Sequence, residues 1–227
     1  MGRVALYALL AAALQAQVAD KANTNYRTKE GRDNMARALG AADRAERLRA
    51  SQIVSSLEIR PGSTVAEVGT GAGAMLPSLS AAVGAEGKVI GEDIFTDFID
   101  RAKKKAETEH LGNVSFVLGS DKSPNLPDSC CDLVMAVDAY HHFDYPAEML
   151  AGIRKSLRPE DGRFAIVDYY KRYDAMDTPG QAIEHIRLDA GDVIKEVERC
   201  GFRLLRQFDH VPGKQYIAIF TRSLNKP

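Results

Sequence analysis

The feature that most constrains this chain is a short apolar run, Thr64 to Val68, that ends in three glycines at alternate positions, Gly69-Thr70-Gly71-Ala72-Gly73. A helical pattern follows, with Leu76, Leu79 and Val83 on one side. A strand that turns through glycines into a helix opens an α/β sheet, because strands that pair in parallel need a helical crossover between them. The alternation continues. Lys88 to Ile94 reads as a second strand, and Thr96 and Asp97 can cap a helix whose apolar side is Phe98, Ile99, Ala102 and Ala106. Val114 to Leu118 is a third strand, and Asp132 to Val137 a fourth, a continuous apolar run of the kind buried on both faces of a parallel sheet. A helix from about Pro146 to Leu157 leads to a fifth strand, Phe164 to Asp168, and Tyr169 to Gly180 reads as an irregular insertion. Asp189 opens a last helix carrying Val193, Ile194 and Val197 and closed by Gly201. Phe202 to Phe208 and Gln215 to Thr221 are joined by a short connection and are therefore antiparallel. Upstream, Arg44 to Leu57 is expected as one helix, stopped at Arg60-Pro61-Gly62. The expected architecture is an open α/β sheet covered on both faces.

At 227 residues, 45% of them apolar and 27% charged, the chain is long enough for one globular domain. Thirty Lys and Arg against 31 Asp and Glu leave no excess positive charge to grip a nucleic-acid backbone or an anionic lipid surface. Cys130 and Cys131 are adjacent, Cys200 stands alone and no Cys-x-x-Cys occurs, so neither a disulfide framework nor a cysteine metal site is expected. Cys130 and Cys131 read as small packing residues. Residues 1–19 carry one arginine, Arg3, and an apolar run from Val4 to Leu14. That is the pattern of a signal or anchor segment too short to span a bilayer, with an alanine-rich docking helix as the alternative. It predicts export or membrane tethering, against a cytoplasmic location if the segment merely packs. Residues 20–43 read as a polar, extended or loosely helical arm, and residues 44–227 as the functional domain.

Open sheets of this type bind ligands at the carboxyl ends of their strands. A glycine turn there lets a ligand approach bare backbone, and free amides at the start of the next helix are expected to point into the same space. Asp93, at the end of the second strand, can accept hydrogen bonds from both hydroxyls of a ribose. The glycines follow G-x-G-x-G spacing, and Glu67 stands two residues before the first. That carboxylate repels a pyrophosphate and tolerates an amino group and a sulfonium.

These residues resemble class I S-adenosylmethionine-dependent methyltransferases over about residues 45 to 222. EVGTGAG at 67–73 looks like the family's first motif, GEDI at 91–94 like its ribose-binding acid, LPDSCCDLVMAVDAYHHF at 126–143 like its fourth-strand block, and LRPEDGRFAIVDY at 157–169 like its run into strand five. Within the family the chain looks like small bacterial methyltransferases bearing an export-like leader. The resemblance implies a doubly wound, Rossmann-like, seven-stranded sheet of order 3-2-1-4-5-7-6 with strand 7 antiparallel. It implies S-adenosylmethionine as cofactor, held by Glu67, Gly69, Thr70, Gly71, Gly73, Asp93, Ile94 and Asp138. Asp121, in a Gly119-Ser120-Asp121-Lys122 stretch whose spacing departs from the family pattern, takes the place of the adenine-binding acid.

Methyl transfer from a sulfonium is an in-line displacement that needs alignment and exclusion of water, and a base only if the acceptor must lose a proton. Tyr140, His141 and His142 follow strand four, and His141 or His142 is the expected base for an oxygen or nitrogen acceptor. An alternative is a divalent cation between Asp138 and Asp168, as in metal-dependent O-methyltransferases, although Tyr169 stands where those enzymes carry an asparagine ligand. His185 and Arg187 are candidates for the acceptor pocket, and Tyr26 for a lid. A nicotinamide oxidoreductase is disfavoured by the glycine spacing and Glu67. A module that binds the cofactor without turnover remains a rival. Val137-Asp138-Ala139-Tyr140 is not the N-P-P-Y of nucleic-acid amino methylation, so a small-molecule acceptor is expected and no nucleic acid.

Overall fold

The structure is a computed structural model that describes residues 18–223. Its elements run in the order α1 (Lys29–Leu39), α2 (Arg44–Arg47), α3 (Ala50–Ser56), β1 (Thr64–Val68), α4 (Leu76–Val83), β2 (Lys88–Asp93), α5 (Thr96–Thr108), β3 (Val114–Leu118), β4 (Leu133–Val137), α6 (Pro146–Ser156), β5 (Arg163–Tyr169), α7 (Gln181–His185), α8 (Ala190–Arg199), β6 (Phe202–Val211) and β7 (Gln215–Arg222). The sheet order is β3-β2-β1-β4-β5-β7-β6, with β7 antiparallel to both of its neighbours and the other pairings parallel. This is the expected seven-stranded topology.

The alternation of side chains along each strand builds a separate core on each face. From β4, Leu133, Met135 and Val137 face one side and meet Ile53, Leu76, Leu79 and Ala102 from α3, α4 and α5. Val134 and Ala136 face the other side, with Leu150 and Ile153 of α6 and Val193 and Val197 of α8. Every residue of β4 is buried, as its unbroken apolar run predicts. Cys131 lies fully buried in the second of these cores, a packing residue.

Two expectations change. The single helix over residues 44–57 is broken: Arg49 takes the left-handed conformation, with φ +53°, and separates α2 from α3. The Gln52 amide bonds to the Arg49 carbonyl, and the Leu48 carbonyl accepts instead from His210 Nε2 at 2.9 Å. The break leaves Ile53 and Leu57 in the core while Arg44 turns to the other end of the sheet. The arm, in turn, is folded. Thr24–Tyr26 form a 3-10 turn, and Thr28 caps α1 by accepting from the Gly31 amide at 3.1 Å. Ala19, Ala22 and Ala36 are buried against the domain.

The segment read as a signal or anchor lies outside the described residues except for Val18 and Ala19. The amides of those two bond to the backbone and side chain of Asp144. Among the described residues no helix is long and apolar enough to cross a membrane.

Candidate functional site

At the carboxyl ends of β1, β2 and β4 lies a cavity of about 310 Å³. Its floor is the glycine turn after β1. Gly69 has φ +75°, and a Cβ there would come within 2.7 Å of the Ala139 Cβ, so only glycine lets the β1 and β4 loops approach. Gly73, φ +81°, serves a different purpose: a Cβ would meet the Leu76 Cδ1 at 2.7 Å and the Ala102 Cα at 3.3 Å. Gly73 therefore seats α4 against α5 and is not part of the cavity wall, which runs through Gly69, Thr70, Gly71 and Ala72.

The turn does not offer the array of free amides expected from the sequence. Gly69 N–H donates to Glu92 Oε2 at 3.3 Å, Thr70 N–H to the Glu92 carbonyl at 2.8 Å, Gly71 N–H to Asp93 Oδ2 at 2.9 Å and Gly73 N–H to the Thr70 carbonyl at 2.9 Å. With these donors spent internally, the wall facing the ligand is acidic. Glu67, Glu92 and Asp93 are all buried and all line the cavity. Burial pushes the Glu67 carboxyl up to about 8, although the Thr70 hydroxyl donates to it at 2.6 Å. Burial likewise lifts Asp93 to about 6 against hydrogen bonds from the Phe95 and Gly71 amides. Glu92 is raised well above the carboxylate range by burial and by Asp93, and its Oε1 is buried without a partner. Burial and crowding keep the three carboxyls from ionising together, a situation that a cation relieves and a phosphate would worsen. Asp93 uses one contact on each oxygen, Oδ1 to the Phe95 amide and Oδ2 to the Gly71 amide, which leaves further lone pairs for a ligand's hydroxyls. Ile94 and Asp121 lie at the same cavity.

The opposite wall comes from the end of β4. Asp138 lies in the left-handed region, φ +49°, and its two oxygens accept from Arg44 Nη2 at 2.7 Å and Gln215 Nε2 at 2.8 Å. Asp168 accepts from His141 at both the backbone amide, 3.0 Å, and Nδ1, 2.7 Å. Each of the two carboxylates expected to share a cation in the metal-dependent alternative already has a partner, which such an ion would have to displace: the Arg44 guanidinium on Asp138 and the His141 imidazole on Asp168. Tyr140 is also not where a catalytic group belongs. It is fully buried, outside the cavity wall, and its hydroxyl donates to Glu196 Oε1 at 2.6 Å. Arg187 is tied to the same Glu196 at 2.8 Å and does not line the cavity.

His142 faces the cavity. Asn23 donates its amide nitrogen to the His142 carbonyl at 3.0 Å, which orients the Asn23 oxygen toward His142 Nδ1, 2.8 Å away. An amide oxygen only accepts, so Nδ1 carries the proton and Nε2 the lone pair. Burial, with His141 and His185 nearby, holds His142 well below the usual histidine range and hence neutral. His141 is raised: burial works against charge there, but Asp168 outweighs it.

The arm closes the cavity. Tyr26 stacks on Phe95, with centroids 6.1 Å apart, and meets Phe98 and His142 edge-on at 5.9 and 5.0 Å. Arg32 bonds Asp97 at 2.9 Å and pins α1 to the start of α5. Asn23, Arg44 and Glu92 escaped the sequence reading. Arg44 was hidden by the break at Arg49, and only the lone aromatic Tyr26 in a polar stretch hinted that the arm carries site residues.

Residues 65–160 match the family described as "Methyltransferase domain". Aklanonic acid methyltransferase DauC of Streptomyces sp. (strain C5) is 34% identical over 182 residues, covering 69% of this chain and 82% of that protein. Nocamycin O-methyltransferase of Saccharothrix syringae is 34% identical over 118 residues, 52% of this chain. The chain spans less than half the length of several curated relatives it matches, 41% in the nocamycin case. In fold, a SAM-dependent methyltransferase from Aquifex aeolicus superposes with a TM-score of 0.74 at 24% identity, covering 82% of this chain and 96% of that one. The chain belongs to the class I S-adenosylmethionine-dependent methyltransferases.

Proposed function

We propose that this chain transfers a methyl group to an oxygen or nitrogen of a small-molecule acceptor, with residues 44–227 as the catalytic domain and residues 20–43 as the arm that covers it. The observation that carries the reading is the buried acidic wall of Glu67, Glu92 and Asp93 around a turn whose amides are already spent. The donor set suits S-adenosylmethionine: Asp93 would hold the ribose hydroxyls, Glu67 the amino group, Gly69 to Ala72 the amino-acid part, and Ile94 and Asp121 the base. When bound, that cofactor supplies an electrophilic methyl group on a positively charged sulfur.

The protein's part is to align, exclude water and receive a proton. Tyr26, Phe95, Phe98 and Phe143 give the cavity its apolar wall. His142 Nε2, unprotonated and on that wall, takes the proton from an acceptor hydroxyl or amine. His141, fixed by Asp168, stands behind it at a centroid distance of 4.1 Å as a positioning residue. The activities for which the aklanonic acid and nocamycin enzymes are named favour small acceptors, and the balanced charge of this chain is consistent with that class.

Calorimetry with S-adenosylhomocysteine and turnover with a panel of small phenols, carboxylic acids and amines test the proposal. His142→Ala is expected to lower kcat by about 10²–10⁴ for an acceptor that must lose a proton, with S-adenosylhomocysteine affinity unchanged. Undiminished kcat would remove His142 as the base, and absence of S-adenosylhomocysteine binding to the intact chain would overturn the reading as a whole.

A further inference from the structure

His142 is not alone at its position. His141, His142 and His185 form a compact triangle, with ring centroids 4.1, 4.9 and 5.3 Å apart. One nitrogen from each lies within 4.8 Å of the others. The rings come from two distant segments, the 3-10 turn Tyr140–His142 after β4 and the end of α7, so their meeting is a product of the fold.

Two of the three rings are held with their lone pairs on the same kind of atom. His141 Nδ1 is directed at Asp168 Oδ1 at 2.7 Å and His142 Nδ1 at Asn23 Oδ1 at 2.8 Å, so in each neutral ring the proton sits on Nδ1 and Nε2 is left as a donor to a Lewis acid. A carboxylate or carbonyl behind each imidazole is the outer support that metal-binding histidines use. His185 packs edge-on against both rings and is half-buried on a helix of five residues.

We propose that His141, His142 and His185 bind one divalent transition-metal ion of the borderline class, Zn²⁺, Co²⁺, Ni²⁺ or Cu²⁺. Three imidazole nitrogens with no carboxylate or thiolate among the ligands disfavour Mg²⁺ and Ca²⁺, which require oxygen. Nitrogens about 2.0–2.1 Å from a tetrahedral ion lie roughly 3.3 Å apart, so the triangle must close by up to about 1.5 Å. Rotation of the half-buried His185 can supply most of that. Three protein ligands leave a fourth position, and because His142 belongs to the cavity wall, an acceptor oxygen could fill it. Such an oxygen would lose its proton to solvent rather than to His142, then form the new bond to carbon as the carbon–sulfur bond of the cofactor breaks. Metal binding itself does not rest on the methyl-transfer reading and is measured without cofactor or acceptor.

The experiment uses the intact chain, stripped with a chelator, dialysed against Co²⁺ or Zn²⁺ and assayed by elemental analysis and, for Co²⁺, by visible absorption. One equivalent is expected, with the ligand-field bands of a four-coordinate ion. His185→Ala should abolish the bands and lower affinity at least about tenfold, and Asp168→Asn should weaken binding about 10–100-fold through the ring it supports. His110→Ala removes an exposed histidine remote in sequence and should leave binding intact. Substoichiometric metal, unaltered binding in His185→Ala, or an equal loss in His110→Ala would each overturn the site. Because His185 is half exposed on a short helix, a thermal melt of His185→Ala that matches the parent keeps the comparison valid. If that variant melts early, His185→Gln, which preserves bulk, must show the same loss for the proposal to stand.

Discussion

Replacing Glu67 by glutamine should make the cofactor-free protein more stable and less sensitive to pH. In the folded chain burial raises this carboxyl from 4.5 to about 8. An acid whose folded value lies above its unfolded value is no burden below about pH 4.5. Stability is then lost as pH rises from there to about 8, because the unfolded chain gives up its proton first. At 1.36 kcal/mol per unit, the loss from this group between pH 5 and pH 8 comes to roughly 3–4 kcal/mol, a ceiling because a buried site relaxes and admits water. Glutamine keeps the shape and an oxygen that can still accept from the Thr70 hydroxyl, and it has no proton to lose. Urea unfolding of both proteins without cofactor, at several pH values from 5 to 8, measures the effect. The parent should lose stability across that range by up to about 3 kcal/mol more than Glu67→Gln. Asp93 and Glu92 are also raised and keep a residual slope in both proteins, so the difference between the two curves isolates Glu67. Parallel curves would refute the claim that the acidic wall is strained in the absence of a cation.

Asp93→Ala should weaken cofactor binding by about 1.5–3 kcal/mol if its carboxylate holds the ribose through charge-assisted bonds, and unchanged calorimetric affinity would exclude that role. Arg44→Ala strands the largely buried Asp138 carboxylate and should destabilise by about 3–5 kcal/mol, with partial recovery in the Arg44→Ala/Asp138→Asn double variant, since asparagine tolerates the left-handed backbone found there. Gly73→Ala and Gly62→Ala both force an alanine to φ above +80°, costing about 1–2 kcal/mol, but only Gly73→Ala also meets Leu76 and Ala102, so it should unfold at the lower urea concentration.

The sheet was legible because its signals are local. Alternating strand and helix patterns, an all-apolar β4 and a two-strand carboxyl end follow from periodicities of two and 3.6 residues, and all seven strands agree with them, whereas the strand order was implied by the family resemblance. Part of the cavity lining was legible for the same reason, since Glu67, Gly69 and Asp93 sit at the ends of the first two strands. What escaped notice depends on contacts between distant segments. The turn amides are consumed by Glu92 and Asp93, some twenty residues on, which no glycine pattern reveals. Tyr140 and the histidines are neighbours in sequence, yet a single 3-10 turn sends Tyr140 to Glu196 and His142 to the cavity. The arm read as extended or loosely helical because its burial is made by a few alanines and one tyrosine rather than by an apolar stripe.

Asn23 joins these contacts into one arrangement. It belongs to the arm, yet its amide bonds both the carbonyl and the ring of His142, 119 residues away. Seating the arm thus does two things at once: it places Tyr26 against the cavity, and it holds the proton of the neutral His142 ring on Nδ1, the tautomer that the proposed role of Nε2 as base requires. With the arm displaced, His142 loses the acceptor that fixes its proton. On the proposed reading, cofactor binding in the cavity and the uptake of a proton or a metal ion at His142 therefore depend on the same short polar arm, residues 20–43.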